Sequence, residues 1–317
     1  MRKNKQTVGH LFALFSCTVW GTTFISTKIL LKDFSPIEIM ILRFLLATLA
    51  LCLIYPHRMK VTDKTHNLYF AGAGLCGVTL YFLLENIALT YTLAANVGVI
   101  VSVAPFFTAI LAHFFLDGER LKPQFFIGFL VAITGIFLIS FHGDTVLKLN
   151  PLGDVLTVLA AGVWAVYSVL IKKISRFSYN TIQSTRRIFC YGLLFIIPAL
   201  FLFRSDWNIQ DIRHLTGGTN AFNILYLGLG ASAICFVTWN MAVKIVGAVK
   251  TSAYIYLSPV ITILTSVLVL REPITWVTLL GAFLAMAGLF ISERKTQKKP
   301  RIQNTDEKLV RQESTEI

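Results

Sequence analysis

The sequence predicts an all-α polytopic membrane protein with ten transmembrane helices in two inverted five-helix repeats. Two observations carry that expectation. Of 317 residues, 55% are apolar and only 14% charged, which leaves too little polar surface to wet the outside of a soluble domain this large. The second half also restates the spacing of the first: Trp20 pairs with Trp164 at an offset of 144, Arg43 with Arg186 at 143, Asn86 with Asn240 and Pro105 with Pro259 at 154, and Glu119 with Glu272 at 153.

The apolar runs cover residues 9–31, 36–55, 68–91, 95–116, 125–141, 153–171, 181–203, 221–243, 251–270 and 274–292. Most are about 18 to 24 residues long, enough to cross about 30 Å of hydrocarbon. The first follows Met-Arg-Lys-Asn-Lys like a signal peptide, but no small-x-small cleavage site follows it, so it reads as a retained helix. Residues 9–141 form the first repeat and residues 153–292 the second. An odd number of spans per repeat sends the second half in from the opposite side, the arrangement of secondary transporters whose site lies at the repeat interface. Residues 56–67 form a basic loop, residues 204–220 a polar one, and residues 293–317 read as a disordered charged tail.

The net charge of +13 is a topology signal rather than a nucleic-acid footprint. With a cytoplasmic N-terminus and alternating spans, twenty Lys and Arg fall on the cytoplasmic side and five on the other. Both termini are therefore expected in the cytoplasm, in a cell (inner) membrane. The five cysteines all fall within spans and form no Cys/His cluster, so neither a disulfide scaffold nor a metal site is expected. No phosphate-binding GxxxxGK[ST], HExxH or GxSxG motif occurs, which argues against an enzyme or a built-in ATP-driven pump, and no cofactor is expected.

Charges inside spans mark function by default. Arg43 stands about 10 Å into the second span and Glu85 about 9 Å from the same end of the third. That matching depth suggests an Arg43–Glu85 ion pair, serving as a gate or as a static packing device. Arg186 is the counterpart of Arg43, but Trp239 stands where Glu85 has its counterpart. Arg186 is thus left to bind an anionic group of the cargo or, with Arg187, to snorkel to the interface. Lys28 and Lys172, near their span ends, read as snorkelling. Trp20 and Trp164 sit at mid-span, where interfacial anchoring does not apply, and either line a cavity or pack between helices. Tyr81, Trp239, Tyr254 and Tyr256 are candidates for an aromatic cavity wall. Asn86 and Asn240 suit interhelical hydrogen bonds, and Pro105 and Pro259 suit helix bends. A partly desolvated Glu85 also offers a route to proton coupling, opposed by Arg43 nearby.

The stretch ALTYTLAANVGVIVSVAPFFTAILAHFFLDGERL followed by FIGFLVAITGIFLI resembles the EamA domain of the drug/metabolite transporter superfamily. AVKIVGAVKTSAYIYLSPVITILTSVLVLREPI followed by LLGAFLAMAGLFI resembles a second copy, and Trp20-Gly21 of the first span also fits. The resemblance runs from Gly9 to Ser292 and departs at Ala165, where the second half lacks the Gly after its Trp. It implies two EamA repeats, cytoplasmic termini, a central cavity and export or exchange of small metabolites, among family cargoes that include amino acids, nucleotide-linked compounds and drugs. The expected function is a secondary transporter for an amino acid or other small organic compound, carboxylate-bearing as one option, working by alternating access in the lipid bilayer. A passive channel or facilitator and a drug or cation efflux carrier are the alternatives.

Overall fold

A computed structural model gives the structure of the protein. It describes residues 2–92, 94–117, 123–140, 151–202, 217–270 and 276–293. The described residues are helical, with turns between. Helices α1 (Arg2–Leu30), α2 (Pro36–Ile54) and α3 (His66–Tyr91) are followed by α4 (Ala94–Val101), α5 (Ala104–Phe115) and α6 (Pro123–Ser140). Helices α7 (Pro151–Ile174), α8 (Thr181–Leu202) and α9 (Gly218–Val246) precede α10 (Ala248–Ala253), α11 (Leu257–Leu270) and α12 (Trp276–Glu293). Among the described residues six helices, α1, α2, α3, α7, α8 and α9, are long and apolar enough to cross a membrane. Large apolar side chains such as Leu53, Phe201 and Leu268 stand exposed on the outside, where a bilayer and not water is the compatible solvent. The protein is a multi-pass membrane protein. Of the polar loop expected at 204–220, residues 204–216 lie outside the described residues and residues 218–220 already belong to α9; of the tail expected at 293–317, all but Glu293, the last residue of α12, lie outside them.

Local sequence explains the breaks. Ser35 caps α2 in a reciprocal box with Glu38, and Pro36 follows, where the missing N–H costs nothing. Pro105 stands in the first turn of α5 and Pro259 in the first turn of α11. The expected bends are local changes of winding ahead of each proline: Ser102 and Val103 form a turn after α4, and the chain tightens into a 3₁₀ turn, Tyr254–Tyr256, before α11. Gly247 separates α9 from α10 at φ 104°, a backbone conformation that a side chain would resist.

Both α3 and α9 contain π-helical turns, at Leu75–Leu80 and Tyr226–Ile234. Packing links the halves. Helix α1 lies against α9 and α11, while α7 lies against α3 and α5; α2 meets the π-helical turns of α9, and α8 meets α3. Helices α6 and α12 pack along each other so closely that a Cβ on Gly128 would lie 2.6 Å from the Gly288 carbonyl oxygen.

The two lysines read as snorkelling do something else. Lys28 donates to the carbonyl oxygens of Leu89 and Thr92 at the end of α3. Lys172 donates to Val243 at the end of α9, 3.4 Å away. Each ammonium meets carbonyls in the last turn of a helix or just after it, with Lys172 adding a second donor to a Val243 carbonyl that already accepts from Gly247.

Candidate functional site

Helices α1, α2, α3, α4 and α7, with the 3₁₀ turn before α11 and the first turn of α11 itself, line a cavity with an empty space of about 460 Å³ counted out to where it opens. Five of the residues expected from sequence line it: Trp20, Arg43, Tyr81, Glu85 and Trp164. Arg43 and Glu85 are only 1% and 2% exposed, so a cationic and an anionic side chain share a largely desolvated space.

The expected direct Arg43–Glu85 ion pair is not formed. The Arg43 Nε donates to Ser232 Oγ at 3.0 Å, and the guanidinium lies 4.2 Å over the Phe82 ring. A desolvated cation–π contact of this kind is worth about 2 kcal/mol. The serine, on α9, and the Phe82 ring, on α3 three residues before Glu85, fix the Arg43 side chain in the lining that it shares with Glu85. Tyr81, four residues before Glu85 on the same face of α3, lines the same cavity beside that carboxylate. The terminal nitrogens of Arg43 are left without a protein partner and the residue lines the cavity. A closed ion pair would have to be broken before a ligand entered, whereas this open one presents two charges ready to be completed.

The walls are aromatic. Trp20 and Trp164 meet edge-on at 5.2 Å, and Tyr81 lies 4.8 Å from Trp164. The Trp20 Nε1 donates to the Ala231 carbonyl at 2.9 Å, in the π-helical turns of α9 that also supply Ser232. A widened helix presents donors and acceptors that a regular α-helix would turn elsewhere, which is a recurrent use of π turns at functional sites.

Other expected residues lie away from the cavity. Trp239 is fully buried behind the wall, 5.0 Å from Trp20 and 5.9 Å from Trp164. Asn86 donates to the Pro36 carbonyl at 3.1 Å, and Asn240 accepts from Tyr167 at 2.8 Å and donates to Thr185 at 3.0 Å, so both act between helices. Tyr254 bonds the His10 ring nitrogen at 2.9 Å, and Tyr256 is buried against Ala132, Ala253 and Leu257. Neither lines the cavity; Ile255 between them does, because the 3₁₀ turn changes the rotation per residue. Arg186 is not a cavity cation: it donates to the carbonyls of Tyr55 and His57, both at 2.7 Å, while Arg187 grips Asn67. Open carbonyls after the end of α2 offered it partners that the sequence did not reveal.

Sequence reasoning missed Thr23, Phe24, Phe82, Val101, Ile255 and Ser258 in the lining. Thr23 and Phe24 fall three and four positions after Trp20, and Val101 four before Pro105, so one turn of helix from each chosen residue would have found them.

A model described as the EamA-like transporter family matches residues 7–141 and 151–293. A protein of Escherichia coli (strain K12), named "Probable amino-acid metabolite efflux pump", is 27% identical over 290 residues, covering 89% of this chain and 93% of that one. One of Streptantibioticus cattleyicolor, named "Probable terminal-alkyne amino-acid exporter", is 25% identical over 293 residues, covering 92% and 95%. An "Uncharacterized transporter" of Archaeoglobus fulgidus is 27% identical over 295 residues, covering 90% and 97%. A crystal structure 20% identical in sequence aligns with a TM-score of 0.67 over 92% of this chain and 97% of the other, an agreement in fold.

Proposed function

Because the chain belongs to the EamA-like transporter family, and is thus a membrane transporter rather than an enzyme, we propose that it exports or exchanges a small zwitterion of the amino-acid class by alternating access. The observation that carries this reading is the open charge pair. Arg43 suits a carboxylate, Glu85 an ammonium group, and Trp20 and Trp164 the apolar remainder of one molecule held between them. Two similar proteins are named for amino-acid efflux, which supports the same class. A drug or cation carrier fits less well, since Arg43 would repel a cation in the same cavity.

In this reading ten helices form two inverted repeats, α4 with α5 and α10 with α11 each making one interrupted span. The exchanged packing of α1 and α7, and the matching lysine caps on α3 and α9, support that symmetry. The Lys and Arg distribution supports cytoplasmic termini and a cell-membrane location. Glu85 is the residue through which a proton would be coupled.

Counterflow in proteoliposomes tests the function. Liposomes loaded with an unlabelled neutral amino acid are expected to accumulate the labelled one transiently and with saturation. A channel would show no such overshoot, and counterflow with amines but not amino acids would replace the zwitterion with a cation.

A further inference from the structure

We propose that Trp20 and Trp164 are the two halves of a conformational switch. The bond from Trp20 to the π-helical turns of α9 holds the state seen in this structure. The opposite state is held by its counterpart, the Trp164 indole N–H bonded to the Gly77 carbonyl in the π-helical turns of α3. The inference rests on the inverted-repeat, alternating-access reading above.

Trp164 lies 144 positions after Trp20, and Ala231 lies 154 after Gly77. One bond of this symmetric pair is made: Trp20 Nε1 to the Ala231 oxygen, 2.9 Å. The other is not, for Trp164 Nε1 is buried with no hydrogen-bond partner. A buried indole N–H ordinarily finds an acceptor, so one left without it needs an explanation. Two inverted repeats that exchange conformations supply it, because what Trp20 has now Trp164 acquires in the other state.

The obstacle to the second bond is also visible. The Tyr167 ring, one turn after Trp164, lies directly on Gly77, and its hydroxyl is held by Asn240 Oδ1 at 2.8 Å. The counterpart of Tyr167 in α1 is Thr23, 144 positions earlier, which is small enough to leave Trp20 free to approach α9. For Trp164 to reach the Gly77 carbonyl, α7 must shift along α3 and carry Tyr167 off the glycine. Since both indoles wall the cavity and touch each other, bound cargo presses on both arms of the switch.

The ends of the bundle report the state at symmetric places. Asn220 donates to Asp33 at 2.8 Å at one end, and His66 stacks on Phe177 at 3.7 Å at the other. Spin labels attached through p-acetylphenylalanine at Lys32 and Thr219, and in a second sample at Thr65 and Arg176, allow each separation to be measured by double electron–electron resonance with the native cysteines in place. Removing Trp20 (Trp20→Phe) is expected to move the population ratio about threefold to tenfold towards the opposite state, the effect of one lost hydrogen bond. Trp164→Phe is expected to move both distance distributions the other way, and the double variant to return towards wild type. Benzothienylalanine, which keeps the ring shape but replaces N–H by sulfur, is expected to reproduce each Phe shift without a cavity. Shifts in the same direction, no shift in either variant, or an isostere that behaves as wild type would overturn the switch. Wild-type counterflow separates the two claims: if it is absent while the opposed shifts appear, the transport reading fails and the switch stands.

Discussion

At the scale of single residues, the site depends on one serine that never touches the cargo in this account. Ser232 holds the Arg43 Nε, and that bond fixes the guanidinium in the lining that it shares with Glu85. A hydrogen bond to a charged group is worth about 1.5–3 kcal/mol. Ser232→Ala is therefore expected to raise the apparent KM for a carboxylate-bearing cargo about tenfold or more, with Ser232→Thr close to wild type. Equal KM changes for acid and amine cargoes would show that the serine matters only for packing. Arg43 and Glu85 were legible in the sequence because charges in spans are rare and their depths can be counted. Ser232 was not, since an ordinary serine 189 positions away carries no local signal of a partner. Arg186 was read with two alternatives, and its bonds to the main-chain carbonyls of Tyr55 and His57, beside the loop at 56–67, fit the one that sends it to the interface rather than to the cargo.

At the scale of elements, the apolar runs located the helices well, and proline positions located the interruptions. What hydropathy did not show was how α3 and α9 change pitch, because π turns depend on packing rather than on composition. The 3₁₀ turn at Tyr254–Tyr256 had the same effect on a smaller scale and put Ile255 where a tyrosine was expected. Glycines bring α6 and α12 together. Their use is close approach: the backbones at Gly128 and Gly288 leave no room for a Cβ on either. Gly128→Val is expected to destabilise the protein by about 1–3 kcal/mol, the usual range for overpacking. A clearly lower melting midpoint in detergent, with the cavity residues still able to bind cargo in the folded fraction, checks this. An unchanged midpoint would mean the two helices separate freely.

At the scale of the whole molecule, one arrangement appears twice with a different outcome in each copy. Lysines from α1 and α7 close the ends of α3 and α9, asparagines in α3 and α9 brace neighbouring helices, and tryptophans in α1 and α7 face each other across the middle. The charges do not follow that symmetry. Arg43 and Glu85 share the cavity, while Arg186 is tied to carbonyls at the end of α2 and just after it, and Trp239, the sequence counterpart of Glu85, is buried against Trp20 and Trp164. The central claim is that this asymmetric pair receives the two ends of a zwitterion. Equilibrium binding to purified wild type and Arg43→Gln tests it most directly, using a neutral amino acid and its decarboxylated amine. Losing a charge-assisted, two-pronged contact of about 3 kcal/mol weakens binding about a hundredfold. The account predicts that loss for the amino acid, and unchanged or tighter binding for the amine, whose charge Arg43 repels. If Arg43→Gln weakens both ligands equally, or neither, Arg43 does not hold the carboxylate and the central claim is contradicted.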